Sequence, residues 1–175
     1  MVGRKAVSTR KKEKRMKFLW APWRMTYIEG DRAQGCLLCN PLKEENDRGN
    51  LILYRSRQAF IIMNRFPYTS GHLMVAPNRH VASLDELDEG EMLELMVLMK
   101  KSILILKRAL KPDGFNVGMN LGRGAGAGID DHIHIHIVPR WNGDTNFMPV
   151  LVETKVMPEY LETTYERLIS FFEEP

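Results

Sequence analysis

The chain has 175 residues, 44% of them hydrophobic and 27% charged, with a net charge of +3. That is enough for one globular domain with a sizeable core, and two cysteines exclude a disulfide framework. No apolar run approaches the roughly 18 residues of a membrane span, and the opening residues lack the apolar segment of a signal peptide, so a cytoplasmic protein with no membrane partner is expected.

The charge is unevenly placed. Residues 1–17 carry eight Lys or Arg against Glu13, a balance of +7 that leaves −4 on the remainder. This stretch has almost no apolar content and reads as a disordered, solvated tail. No aromatic residues interleave with its charges, which argues against a nucleic-acid partner. From Phe18 the composition changes, and "FLWAPWRMTYI" reads as ordered packing, so a single domain is expected over residues 18–175.

Next comes Cys36-Leu37-Leu38-Cys39, whose spacing allows a metal site, a redox pair or incidental thiols. "NLILYRS", "AFIIMNRF" and "GHLMVAP" have the branched and aromatic bias of strands, with the turn-forming "PYTSG" before the third, and predict an antiparallel meander. Ser83 with Glu86, and Asp88 with Glu91, are successive capping-box patterns that predict a short helical turn leading into a long helix from about Glu89 to Leu110. Its Leu95, Met99, Ile103, Leu106 and Leu110 share one face and form either core or a dimer interface. "KPDG" stops the helix, "FNVGMN" reads as a strand, and "PEYLETTYERLISFF" as a final helix with Pro158 at its start. Strands, a long helix and further strands in that order argue for an α+β fold.

Between the last two elements stands "DDHIHIHIVPR". On a strand, His132, His134 and His136 would share one face and Ile133, Ile135 and Ile137 the other. Three imidazoles on one face cannot each find a private buried partner cheaply, so the face is expected to carry chemistry. Two forms are open: a three-histidine zinc centre with Asp130 or Asp131 as base, and an imidazole nucleophile supported by its neighbours. Just upstream, "NLGRGAGAGIDD" places glycines at 122, 124, 126 and 128, where backbone N–H groups could cradle a phosphate. Together these favour chemistry at phosphorus.

These residues resemble the histidine-triad (HIT) family, whose His-x-His-x-His signature followed by two apolar residues stands here as "HIHIHIV". "NRFPYTSGHLMVAP" is similar to that family's second motif. "LWAPWRMTYI", "CLLC", "GFNVGMNLG" and "PRWNGDTNF" resemble the bacterial branch that includes diadenosine tetraphosphate phosphorylases. The resemblance implies an antiparallel α+β domain with long and C-terminal helices, and nucleotidyl transfer through a covalent AMP-histidine intermediate. His134 would be the nucleophile. His136 would bind phosphate oxygen or protonate the leaving group, and His72 would hold the tautomer.

Asn120, Gly126, Gly128 and His136 would contact phosphate, Asn64 the ribose and Ile62 the adenine. Phosphorolysis of diadenosine tetraphosphate to ATP and ADP is the leading reaction. Hydrolysis of dinucleoside polyphosphates or adenosine phosphoramidates is the alternative. The loop lacks the glutamine or serine that many family hydrolases carry beside the triad, which leaves room for inorganic phosphate, with Arg123 as a candidate anion partner. The family also implies a homodimer.

Cys36, Cys39, His80 and His132 supply the four ligands a closed zinc site needs, and some family members hold zinc through matching positions. A redox pair or two buried thiols remains open for the cysteines. Structural zinc placed there is expected to tie the N-terminal segment to the catalytic strand without touching substrate.

Overall fold

The computed structural model describes residues 35–144 and 159–173. The basic tail, the aromatic stretch from Phe18 and Pro158 lie outside the described residues.

Two single-turn helices, α1 (Cys39–Leu42) and α2 (Asp47–Asn50), precede the sheet. Strands β1 (Ile52–Arg55), β2 (Ala59–Met63) and β3 (Leu73–Pro77) arise where branched and aromatic residues run between turn-formers, and they pair as the expected antiparallel meander. After helix α3 (Glu89–Leu110) come β4 (Gly114–Gly118) and β5 (Ile135–Arg140). β5 inserts between β3 and β4, so the sheet order is β1-β2-β3-β5-β4, antiparallel throughout. Helix α4 (Leu161–Phe172) closes the described chain, and the buried Tyr165 hydroxyl donates to the Ile52 carbonyl at 3.0 Å, fixing it against β1. The fold is α+β.

Helix α3 starts where its capping signal lies. Asp88 accepts from the Glu91 amide at 2.8 Å, and Glu91 accepts in return from the Asp88 amide at 3.0 Å. The earlier Ser83 signal gives only a short 3₁₀ turn, Leu84–Glu86, because the Ser83 hydroxyl turns to Asp85 instead of capping backbone. Leu95 and Leu106 are buried, and Met99, Ile103 and Leu110 pack partly buried against the core, so the predicted stripe is core. The opposite side leaves Met92, Leu93, Met96, Val97 and Leu104 exposed.

β2 and β3 are buried along their whole length, because α3 covers one face of the sheet and the opposite face floors a cavity. Gly71 allows β3 to pass beneath the end of α3. It has φ +76°, and a Cβ there would lie 2.4 Å from Leu110 Cδ1 and 3.2 Å from Leu106 Cδ2. Only glycine tolerates both conditions, and it delivers His72 to the start of the strand.

One expectation is corrected. β5 opens at Ile135, so only His136 lies on the strand itself, while His132 sits in a bend and His134 in the irregular residues just before the strand. The ladder to β3 runs from Leu73 to Val75 only, and the Ile133 amide donates instead to the Val81 carbonyl at 2.7 Å. Ile133, Ile135 and Ile137 are still all buried.

No helix among the described residues is long and apolar enough to cross a membrane.

Candidate active site and metal cluster

Strand register builds the cavity floor. Ile62 pairs with Met74, Met74 with His136 and His136 with Gly118, and directly opposed residues share a face. The Asn64 amide donates to the His72 carbonyl at 2.9 Å, extending the ladder so that Asn64 and His72 join this face. The cavity is floored by Ile62, Met63, Met74, His134 and His136, walled by Leu37, Leu38 and Pro41, and rimmed by Asn64, Tyr68, Asn120 and Gly128.

Backbone groups of fixed polarity assign the histidine tautomers. The Tyr68 amide can only donate, and it donates to His72 Nδ1 at 3.1 Å. His72 therefore carries its proton on Nε2, which lies 3.0 Å from His136 Nδ1 and donates to it. The His136 proton is thereby placed on Nε2. The stacked Tyr68 ring, its centroid 4.8 Å from that of His72 at 22°, holds the first ring in plane.

His134 is set by the opposite logic. The His132 carbonyl can only accept, and His134 Nδ1–H donates to it at 2.8 Å, which leaves Nε2 unprotonated with its lone pair available. His134 is 5% exposed, and burial pushes its pKa down while the carbonyl contact opposes the shift. A neutral imidazole near pH 7 follows. The His134 and His136 ring centroids are 4.6 Å apart, edge to face.

His132 belongs to a second centre. Its Nε2–H donates to the Pro77 carbonyl at 2.9 Å, turning the Nδ1 lone pair toward Cys36 Sγ at 3.3 Å and Cys39 Sγ at 3.4 Å. Cys39 Sγ lies 3.3 Å from His80 Nδ1, and the four donor atoms of Cys36, Cys39, His80 and His132 all lie within 4.8 Å of one another. Metal–sulfur bonds of about 2.3 Å and metal–nitrogen bonds of about 2.0 Å span a tetrahedron with sulfur–nitrogen edges of roughly 3.5 Å. The observed separations fit such an ion. Burial and the neighbouring Cys36 push the Cys39 thiol up to about 11.

The three triad histidines do not converge on one point. Among the described residues it is the Cys/His group that brings metal-ligating atoms together, while His136 faces His72. Asp130 pairs with Arg123, and Asp131 lies 3.9 Å from His80 Nε2. Neither aspartate is placed as a base for a three-histidine zinc centre.

Of the sequence candidates, Ile62, Asn64, Asn120, Gly128, His134 and His136 line the cavity, and His72 lies fully buried behind His136. Arg123 and Gly126 are not on the cavity wall. The Arg123 side chain is 86% exposed and salt-bridged to Asp130, and the Gly126 amide donates to the Arg123 carbonyl at 3.0 Å. Sequence reasoning missed Tyr68, read as a turn residue, Leu37 and Leu38, read only as the spacer between two cysteines, and Pro41, which received no reading. The signal for the wall was the apolar pair between the cysteines.

Residues 45–143 match the HIT domain family model. Over 154 residues the chain is 37% identical to the AP-4-A phosphorylase of Mycobacterium tuberculosis, covering 83% of this chain and 79% of that one. Its structure resembles a hypothetical histidine triad nucleotide-binding protein from Sulfolobus tokodaii, with a TM-score of 0.61, 29% identity and coverage of 78% of this chain and 89% of that one. A Zn-bound histidine triad family protein from Mycobacterium smegmatis shares the fold at a TM-score of 0.63 and 23% identity, over 79% of this chain and 93% of that one. The chain belongs to the HIT family.

Proposed function

We propose that the protein transfers an adenylyl group from a dinucleoside polyphosphate to inorganic phosphate through a covalent AMP-His134 intermediate, with diadenosine tetraphosphate as substrate. The observation that carries this reading is the buried His134 imidazole on the cavity floor, its Nδ1–H tied to the His132 carbonyl at 2.8 Å and its Nε2 lone pair presented for attack. His134 Nε2 bonds to the α-phosphorus as the bridging P–O bond breaks, and ATP leaves. His136 Nε2–H, held in place by His72, donates to the departing oxygen. Phosphate oxygen then attacks the same phosphorus, breaks the P–N bond and leaves as ADP.

Ile62 and Met74 offer an apolar seat for the adenine, and Asn120 and Gly128 stand at the phosphate end. Asn64 Oδ1 accepts from the Phe66 amide at 2.9 Å, which aims the side chain and leaves a second lone pair for a ribose hydroxyl. Arg123 takes part only by exchanging Asp130 for the incoming phosphate. The similarity to AP-4-A phosphorylase supports phosphate over water as the second nucleophile.

Labelled inorganic phosphate tests the choice. Turnover should rise with phosphate, and the label should appear in the β-position of ADP. Formation of AMP and ATP at a rate indifferent to phosphate would make the protein a hydrolase.

Zinc fits the Cys36, Cys39, His80 and His132 donor set and is assigned a structural role there, because His132 gives its Nδ1 to the cluster and only its backbone carbonyl to His134. A homodimer is part of the same reading. It is supported by the exposed α3 face of Met92, Leu93, Met96, Val97 and Leu104 and by β4 at the sheet edge. Sedimentation velocity should give a dimer, and paired Leu93→Glu and Val97→Glu substitutions should shift it to monomer.

A further inference from the structure

The apolar residues between the two cysteines face the nucleotide cavity. Leu37, Leu38 and Pro41 form its wall, and the sulfur atoms on either side of the leucines lie 3.3 and 3.4 Å from His132 Nδ1. The Leu38 amide donates to Cys36 Sγ at 3.4 Å, and the Asn40 amide to the Cys36 carbonyl at 3.0 Å, so the leucines ride on the position of the sulfur. The far end of the segment is fastened separately. The Arg55 guanidinium donates to the carbonyls of Pro41, Leu42 and Glu44 at 3.1, 3.0 and 2.9 Å, and pairs with Asp47. Among these contacts, residues 36–39 are the part whose placement rests on the Cys/His cluster.

We propose that zinc at this cluster and nucleotide in the cavity bind cooperatively, because the Leu37-Leu38 wall is held in its nucleotide-ready position by the metal ligands on either side of it. This rests on the nucleotide-site reading given above and goes beyond the expected structural role, in which such a metal ties the N-terminal segment to the catalytic strand without touching substrate. Without the ion, the two thiols and two imidazoles have no common partner, and the turn that carries Leu37 and Leu38 is freed to occupy other arrangements. A nucleotide must then select the wall-forming arrangement, which weakens its apparent affinity. By linkage, bound nucleotide raises zinc affinity by the same factor. The metal thereby acts on affinity, through the leucines that its two sulfur ligands flank.

The test uses the full chain, zinc-loaded and metal-stripped, titrated calorimetrically with AMP. The stripped protein should bind AMP about ten-fold more weakly, within the usual range for coupled sites. A chelator competition on the loaded protein should show zinc held about ten-fold more tightly when AMP is saturating, and this second measurement decides the matter if the stripped chain unfolds. Leu37→Ala, at a position 41% exposed at the cavity wall, should shrink the coupling while leaving zinc affinity without AMP unchanged. Equal AMP affinity in both folded forms, zinc affinity indifferent to AMP, undiminished coupling in Leu37→Ala, or a chain that takes up no zinc would each overturn the proposal. Loaded protein that binds no AMP would instead bring down the nucleotide-site reading, and the coupling with it.

Discussion

His134→Ala is expected to lower turnover of diadenosine tetraphosphate by at least about 10⁴-fold while AMP affinity changes by less than about three-fold. The asymmetry follows from what the side chain does. Its Nε2 lone pair would form the bond to phosphorus, and among the described residues no other cavity group combines a buried neutral imidazole with a backbone acceptor at Nδ1. The binding surfaces at Ile62, Met74 and the 37–41 wall do not depend on it. Nor does the local backbone, since Ile133 and Ile135 are buried on the other side and the Ile133 amide is bonded to Val81. Wild-type protein quenched in alkali during turnover with adenine-labelled substrate should retain label on the chain, and the variant should retain none. Residual activity within ten-fold of wild type would assign the nucleophile elsewhere.

The histidine motif was legible because alternation and side-chain chemistry both speak through it, and because Ile133, Ile135 and Ile137 supply the buried counterpart. The capping box at Asp88 and Glu91 likewise marked the start of α3, since both reciprocal hydrogen bonds are encoded by residues three apart. Long-range facts were harder to read. Where β5 begins depends on how far β3 pairs with it, and a residue-by-residue reading of "HIHIHIV" carries no trace of the handover to Val81. The double role of the 36–41 segment was hidden for a similar reason. Two cysteines dominate its pattern, while the leucines meet the cavity only once His132, 93 residues beyond Cys39, is folded against them. The Arg123 environment was only half legible, since the glycines around it mark a loop cation while its pairing with Asp130, seven residues on, depends on how that loop folds back.

His72 is 0% exposed and is not on the cavity wall. His72→Phe is expected to lower kcat by about 10²-fold, the lower end of what general acid catalysis contributes, with little change in KM. Phenylalanine retains a ring against Tyr68 but can neither accept from the Tyr68 amide nor donate to His136 Nδ1. His136 would then lose the donor to its Nδ1 that, in the proposed mechanism, keeps its proton on Nε2 for the leaving oxygen. Ground-state contacts to base and ribose stay in place, which is why the loss should fall on the chemical step. His72→Gln separates positioning from packing, because its amide oxygen can accept from Tyr68 while its NH₂ group donates to His136, and it should recover about ten-fold of the loss. Thermal unfolding of both variants checks that each is folded at the assay temperature. Wild-type kcat in a folded His72→Phe protein would show that His136 is oriented without its neighbour, and the tautomer chain from Tyr68 through His72 to His136 would then have no part in the reaction.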